Sequence, residues 1–464
     1  MSHILTLNMQ QELSNRASNT FTKMVELEIV CKETIKPPSS TPSELRNHPL
    51  CLIDQQAPNH YIMLLYFYDN RNTVNSGRLK DSLSKALTVY YPFAGRLQKG
   101  GNSIDCNDMG AMYSEGKLRC PMSEVMNNKL QLDQILKLVC LDHDTNGNDT
   151  EPRFNPLLSV QLFHFECGGA MMSASCYHKV ADLASLTNFV NDWASIARSS
   201  GGGMLPAVTP LFNAASFFRP ELDAGGNPSG DEGSEAKGGG KKVCLKRLVF
   251  EGSKIEALKA MVSEKVANPT RVQILTAFIY KAALSAKILV TGNWPTTSLL
   301  QTVNIRSRME PPLEEKLIGN ILSFFIASST TEEGREMEIW DLVGDMKRSF
   351  EEFCREFPKN CRAEEWSWLY KLHAKEKMER LGSGGGDHVV YCCSSWCKFP
   401  LYEADFGWGK PIWITVPDFD TKNLIILMDA RDGEGVEAMV SLEEEEMAVF
   451  EQNQELLSFC ELRT

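Results

Sequence analysis

His178 and Asp182 stand four residues apart in His178-Lys179-Val180-Ala181-Asp182, between the apolar run at 170–177 and a helical pattern of Leu186, Phe189, Val190 and Trp193. That setting puts the imidazole at the end of a strand, where the backbone holds it rigidly. An imidazole of ordinary pKa, near ~6.5, is suited to take a proton from a hydroxyl or an amine at neutral pH. The carboxylate can fold back toward the backbone or a cation and fix the turn that presents the ring. A hydrogen-bonded structural histidine fits the same spacing, so the pair alone does not separate a base from a brace. Cys176, two residues before His178, shares its strand face at about 6.6 Å along the axis, marginal for a thiolate–imidazole pair. A buried structural thiol is the other reading of that cysteine.

A second segment, Tyr402-Glu403-Ala404-Asp405-Phe406-Gly407-Trp408-Gly409-Lys410-Pro411, gathers two glycines, a tryptophan and a proline into one loop. Gly407 and Gly409 can take positive φ, and Pro411 ends the loop. His-x-x-x-Asp followed half a chain later by Asp405-Phe406-Gly407-Trp408-Gly409 resembles the plant BAHD acyltransferases, which move acyl groups from coenzyme A thioesters. Ile35 to Pro42, Tyr90 to Leu97, Val303-Asn304-Ile305-Arg306 and Gly319-Asn320 are similar to further landmarks of that family, in the expected order from about Met24 to the C-terminus.

The resemblance implies two similar chloramphenicol-acetyltransferase-like domains with a solvent channel at their interface. It implies His178 as general base for direct attack on the thioester, so that no enzyme ester forms and no metal is needed. Asp182 would face away from the substrate and pair with Arg306. Ser394, in Ser394-Ser395-Trp396, would supply a hydroxyl to the oxyanion, with Trp396 beside it. Asp405, Gly407, Trp408 and Gly409 would brace the fold away from the reacting atoms. Most members carry glycine after the motif aspartate; Leu183 stands there in this chain, so the following helix is expected to begin at once.

The resemblance is strongest to the alkaloid O-acetyltransferase branch. That implies no permanently bound cofactor, an acyl-CoA co-substrate with acetyl-CoA favoured, and an alkaloid alcohol as acceptor, with a monomeric cytoplasmic enzyme. An aromatic acyl donor or an amine acceptor is the alternative within the class. A catalytically silent small-molecule-binding protein on the same scaffold is the alternative outside it. Independently of the resemblance, Ser253 and Lys254 open a helix after Phe250, and a helix N-terminus favours an anion such as a coenzyme phosphate.

Composition bounds these readings. A chain of 464 residues exceeds what one core usually supports, and 43% hydrophobic content suffices for two. No run of eighteen apolar residues and no signal-like N-terminus occurs, which points to a soluble protein without a membrane partner. A formal charge of −12 argues against nucleic-acid binding. It also poses a problem for polyanionic coenzyme A. Lys237, Lys241, Lys242, Lys246, Arg247, Lys254 and Lys259 form a local basic concentration that could steer phosphates, or else a solvated linker and helix face. Fourteen cysteines follow no metal-ligand spacing, Cys392, Cys393 and Cys397 included, and fit free thiols of a cytosolic protein.

Residues 1–23 read as a disordered N-terminal extension, with a transit peptide or a working start at Met24 as the other readings. Residues 24–198 then form a first domain carrying HxxxD, 199–243 a glycine-rich crossover, and 244–464 a second domain carrying DFGWG. Strands are expected near 25–32, 61–68, 111–114, 158–177, 246–250, 298–305, 319–327, 388–397, 412–416 and 424–429. Helices are expected near 76–88, 182–197, 253–265, 270–287 and 337–356, with a C-terminal helix opened by the acidic run Glu443 to Glu446. The mixture makes the class α/β (α+β).

Overall fold

The computed structural model of the chain describes residues 26–69, 74–127, 155–199, 209–221, 242–329, 337–357, 363–382, 388–417 and 421–463. The 1–23 extension, most of the 199–243 crossover with Lys237 and Lys241, and the glycine run at 384–386 lie outside the described residues.

The first half contributes β1 (Leu27–Ile35), β2 (Asn47–Pro49), β3 (Tyr61–Tyr68), β4 (Arg96–Leu97), β5 (Ser103–Asp105), β6 (Ala111–Leu118), β7 (Leu158–Phe165) and β8 (Ala170–Tyr177). The second contributes β9 (Val243–Phe250), β10 (Thr297–Asn304), β11 (Leu322–Ser329), β12 (Val389–Ser395), β13 (Trp413–Thr415), β14 (Leu424–Asp429), β15 (Val436–Glu443) and β16 (Glu461–Arg463). They form a six-stranded sheet in the order β1-β6-β7-β8-β3-β13, a seven-stranded sheet β11-β10-β12-β14-β15-β9-β16, and a small sheet β2-β5-β4. The class is mixed α/β, as the alternation implied. The stretch at 158–177 is two antiparallel strands, because the chain reverses at Gly168, whose φ of 84° a side chain would disfavour.

One strand crosses between the halves. Trp413, Ile414 and Thr415 of β13 pair antiparallel with Phe67, Tyr66 and Leu65 of β3, so residues from late in the chain complete the first sheet.

Against the first sheet lies the helix Leu183–Arg198, which is buried along Leu186, Phe189, Val190 and Trp193 and packs on the helix Ser76–Val89. Trp193 is fully buried and donates its indole N–H to Ser82 Oγ at 3.0 Å. Truncating a residue so placed costs about 3–5 kcal/mol. The helix Arg271–Thr291 covers one face of the second sheet; it is apolar and long enough by composition to cross a membrane, but most of its apolar window is buried inside the fold. The opposite face, with Leu245, Ile426, Met428 and Met439, shares one core with Tyr66, Phe189 and Trp193 of the first half. This shared core holds the two sheets in the register the site requires.

Candidate active site

β8 is buried along its whole length and is paired on both sides, to β7 and β3. At its end Tyr177 N–H donates to Leu157 O at 2.9 Å and His178 N–H to His60 O at 2.8 Å, while Val180 N–H closes a turn onto Tyr177 O. The backbone of His178 therefore has little freedom. Its imidazole packs edge-on against His60, with ring centroids 5.3 Å apart. Nδ1 is buried and no partner among the described residues meets it with hydrogen-bond geometry; the residue's own carbonyl and Asn320 are the polar groups beside it. Burial lowers the proton affinity of the ring, outweighing the opposite pull of its backbone, Asp182 and Asn320. The neighbouring His60 is lowered to about 4, by burial first and then by His178. An imidazole kept neutral in this way is in the form a general base needs.

Asp182 caps the helix Leu183–Arg198 and accepts Ser185 N–H at 2.8 Å. The helix does begin at Leu183. Arg306 meets the carboxylate with both terminal nitrogens, Nη1 to Oδ2 at 2.7 Å and Nη2 to Oδ1 at 3.1 Å, and Ile321 N–H adds a bond at 3.2 Å. Both side chains are almost completely buried. Burial would raise the carboxyl's pKa, but Arg306 and Ser185 outweigh it and hold the group below its ordinary value. Arg306 also donates to the carbonyls of Leu317 and Gly319. The oxygens of Asp182 are thus spent on structure.

Cys176 is fully buried, burial pushes its thiol up, and its Sγ faces Tyr177 O at 3.8 Å. It lacks the low-pKa setting of a nucleophile.

Ser394 sits on β12 in register with Ile426 of β14, a residue of the shared core, so its side chain points toward the first half. Its Oγ accepts from Trp396 Nε1 at 3.0 Å and from Thr302 Oγ1 at 3.2 Å. The single Thr302 hydrogen is shared with Cys393 O at 3.3 Å, and the indole N–H of Trp396 is the donor that leaves the Ser394 O–H available to donate. Trp396 directs its indole N–H at Ser394, which makes it a support for that hydroxyl.

Asp405 Oδ1 accepts the N–H groups of Gly407 and Gly409 at 2.8 and 2.9 Å, which is feasible because both glycines hold positive φ, 101° and 108°. Phe406 meets Trp193 edge-on at 4.7 Å, Trp408 stacks on Phe406, and Tyr68 O–H donates to Ala404 O at 2.8 Å. Arg198 donates to Asp405 O. The loop therefore grips the far end of the helix that Asp182 begins, a separation of about 24 Å for sixteen helical residues.

Ser253 and Lys254 lie in the first turn of the helix Gly252–Ser263, and Lys254 Nζ donates to Ser458 O at 3.0 Å. The other described members of the basic concentration face carboxylates: Lys242 pairs with Glu444, Lys246 with Glu451, Arg247 with Glu437 and Lys259 with Glu256. Their charge is locally neutralised, so they do not form an open positive surface. Within the acidic run, Glu446 is buried and accepts from Lys287 Nζ at 2.6 Å. Among the described residues no group of histidine, cysteine and carboxylate side chains is placed to hold a metal, and every described cysteine is a free thiol.

Sequence reasoning assigned no role to Asn320, Thr302, His60 or Asp54. Only Asn320 carried a signal, through the Gly319-Asn320 landmark; the others reach the site by strand pairing and chain reversal, which no local pattern announces.

Comparison with known proteins matches residues 25–457 to a model described as the transferase family. A 17,18-epoxy-17-hydroxycur-19-ene N-malonyltransferase from Strychnos nux-vomica is 34% identical over 94% of this chain and 91% of that protein. The crystal structure of vinorine synthase, 31% identical, superposes with a TM-score of 0.78 over 93% of this chain and 98% of that one. That of F. sporotrichioides TRI101 complexed with coenzyme A and T-2 has a TM-score of 0.68 at 17% identity, covering 90% of this chain and all of the other, and is similar in fold alone.

Proposed function

The chain belongs to the BAHD family of acyltransferases, and from that premise we propose that it transfers acetyl from acetyl-CoA to a hydroxyl of an alkaloid, with His178 as the base. The observation that carries the mechanism is the imidazole itself, fixed at the end of a fully paired strand and kept neutral by burial. His178 takes the acceptor's proton, the freed oxygen attacks the thioester carbonyl, and the O–H of Ser394 donates to the developing oxyanion. Collapse expels coenzyme A as thiolate, and the imidazolium supplies its proton. A positioned donor of this type is worth about 2.7–4 kcal/mol of barrier.

Lys254 and Ser253 are the proposed coenzyme contacts. They follow β9, three strand positions from β12, which carries Ser394, and about 14 Å from it, a distance an extended pantetheine arm can bridge with its phosphates at the helix N-terminus. The alkaloid acceptor is supported by the relatives, the N-malonyltransferase and vinorine synthase among them. One of them transfers malonyl to nitrogen, which makes that the second reading. A monomeric state and a cytoplasmic location belong to the same proposal, supported by the free thiols.

The test is incubation with acetyl-CoA or malonyl-CoA and alkaloid alcohols or amines, following thiol release and product mass together. Acetyl ester formation supports the proposal. Malonamide formation would replace it with the second reading, and thiol release without an acylated acceptor would mean hydrolysis.

A further inference from the structure

Asp54 lies in the short helix Leu52–Gln56 and is 2% exposed. Its Oδ2 accepts Cys51 N–H at 3.0 Å, and its Oδ1 accepts both the main-chain N–H of Asn320 at 2.6 Å and the Nδ2 of Asn320 at 2.9 Å. The same Nδ2 donates its second hydrogen to the main-chain carbonyl of His178 at 2.7 Å. A continuous chain therefore runs from Asp54 through Asn320 to the residue that bears the base. Gly319 makes the approach close: its φ is 130°, and a Cβ there would sit 3.3 Å from Asp54 Oδ1.

The carbonyl end of Asn320 meets no partner among the described residues, since its Oδ1 is buried without a hydrogen bond. What keeps the NH₂ end of the carboxamide toward His178 is then Asp54, an acceptor that a reversed amide could not satisfy. Asp54 is itself an expensive group to bury. Among the described residues no cation bonds it, and nearby Lys179 gives its Nζ to Gln55 O at 2.6 Å instead. Burial raises its carboxyl to about 6 in spite of the Asn320 and Cys51 hydrogen bonds. A carboxylate desolvated without a salt bridge is costly unless its hydrogen bonds are needed.

Resting on the reading of His178 as the base, we infer that Asp54 is a positioning residue for acyl transfer: it locks the Asn320 carboxamide in the one orientation that tethers the His178 carbonyl, and so fixes the direction in which the imidazole meets the acceptor hydroxyl. The role is orientation, and Asp54 touches neither substrate.

The experiment compares Asp54→Ala, Asp54→Asn, Asn320→Ala, the Asp54→Ala/Asn320→Ala double variant and His178→Ala in kcat, in KM for both substrates and in the pH profile of kcat/KM. Misplacing a reacting group by about 1 Å costs on the order of 10²-fold, so Asp54→Ala and Asn320→Ala should each lose kcat on that scale with KM little changed. The double variant should be no worse than either single one, because both break the same chain. Both single variants should also shift the acid limb, because a ring whose main-chain carbonyl is no longer tethered changes its exposure to the burial that lowers its proton affinity. Asp54→Asn, which keeps an oxygen for Asn320, should recover part of kcat.

Multiplicative losses in the double variant, or an unmoved acid limb, would overturn the inference. So would normal kcat in a folded Asp54→Ala protein. If Asp54→Ala does not fold, Asn320→Ala and Asp54→Asn decide by the same two readouts. Near-normal turnover in His178→Ala would remove the base itself, an outcome distinct from a silent Asp54 beside an essential His178.

Discussion

Replacing His178 with alanine should lower kcat by about 10²–10⁴-fold, the usual contribution of a general base, and should leave the melting temperature within a degree or two of the parent because the backbone bonds at that position do not involve the ring. Melting curves beside steady-state rates check it. The acid limb of kcat/KM should fall below ~6.5, the ordinary histidine value, because the folded ring is held under it by burial. The linkage has the matching sign: the unfolded chain takes up a proton first as pH falls, so the ring's contribution to stability is complete above the unfolded pKa and is lost on the way down to the folded one. Asp182→Ala and Arg306→Ala should each destabilise by about 3–5 kcal/mol, since each strands a buried charge, and the two should couple strongly in a double-mutant cycle read by denaturant unfolding. The pairing of these two residues is legible only through the family resemblance, whose landmarks carry one partner each. The anchoring of the base could not be anticipated. His60 and Asn320 come beside His178 only after β3 pairs with β8 and the 319–321 segment crosses from the other half.

At the scale of the element, the loop after Asp405 works through two positive-φ glycines, and they are not equivalent. A Cβ on Gly407 would lie 3.1 Å from the Arg78 guanidinium, whereas a Cβ on Gly409 would have nothing within 4 Å. Gly409→Ala should therefore cost only backbone strain, about 1–3 kcal/mol, and Gly407→Ala should exceed it. Thermal denaturation of the two variants in parallel checks the order; equal losses would show that Arg78 simply moves aside. The elements that sequence reasoning found carry a clear pattern, such as the helical period of Leu183–Arg198 or the unbroken apolar run of β3. Those it missed break the pattern for physical reasons. β15 is buried on both faces and still carries Glu437, Ser441 and Glu443, so its apolar residues do not alternate with polar ones. The helix Ala363–Gly382 distributes charge around its circumference. The strands of the small sheet are two or three residues long, too short for any period to register.

Across the whole molecule, the two halves are fastened at several separate places. Lys316 bonds Asp192 at 2.6 Å, Asn191 donates to Pro400 O at 3.0 Å, Arg306 holds Asp182, and β13 completes the first sheet. A chain severed between Glu221 and Lys242 should thus elute as one particle under native conditions and separate only in denaturant, which size-exclusion chromatography beside denaturing electrophoresis would show. The loan of β13 also sets a timetable for the newborn chain. The ribosome completes β3 about 345 residues before it reaches Trp413, an interval of roughly 17–70 s at about 5–20 residues per second. During that interval the outer edge of β3, a run of aromatic and branched residues, has no neighbour and can recruit another nascent chain. Folding of the first half is therefore held open until translation is nearly finished, and yield in a heterologous host should respond to elongation speed and to holdase supply more than to any substitution in the active site.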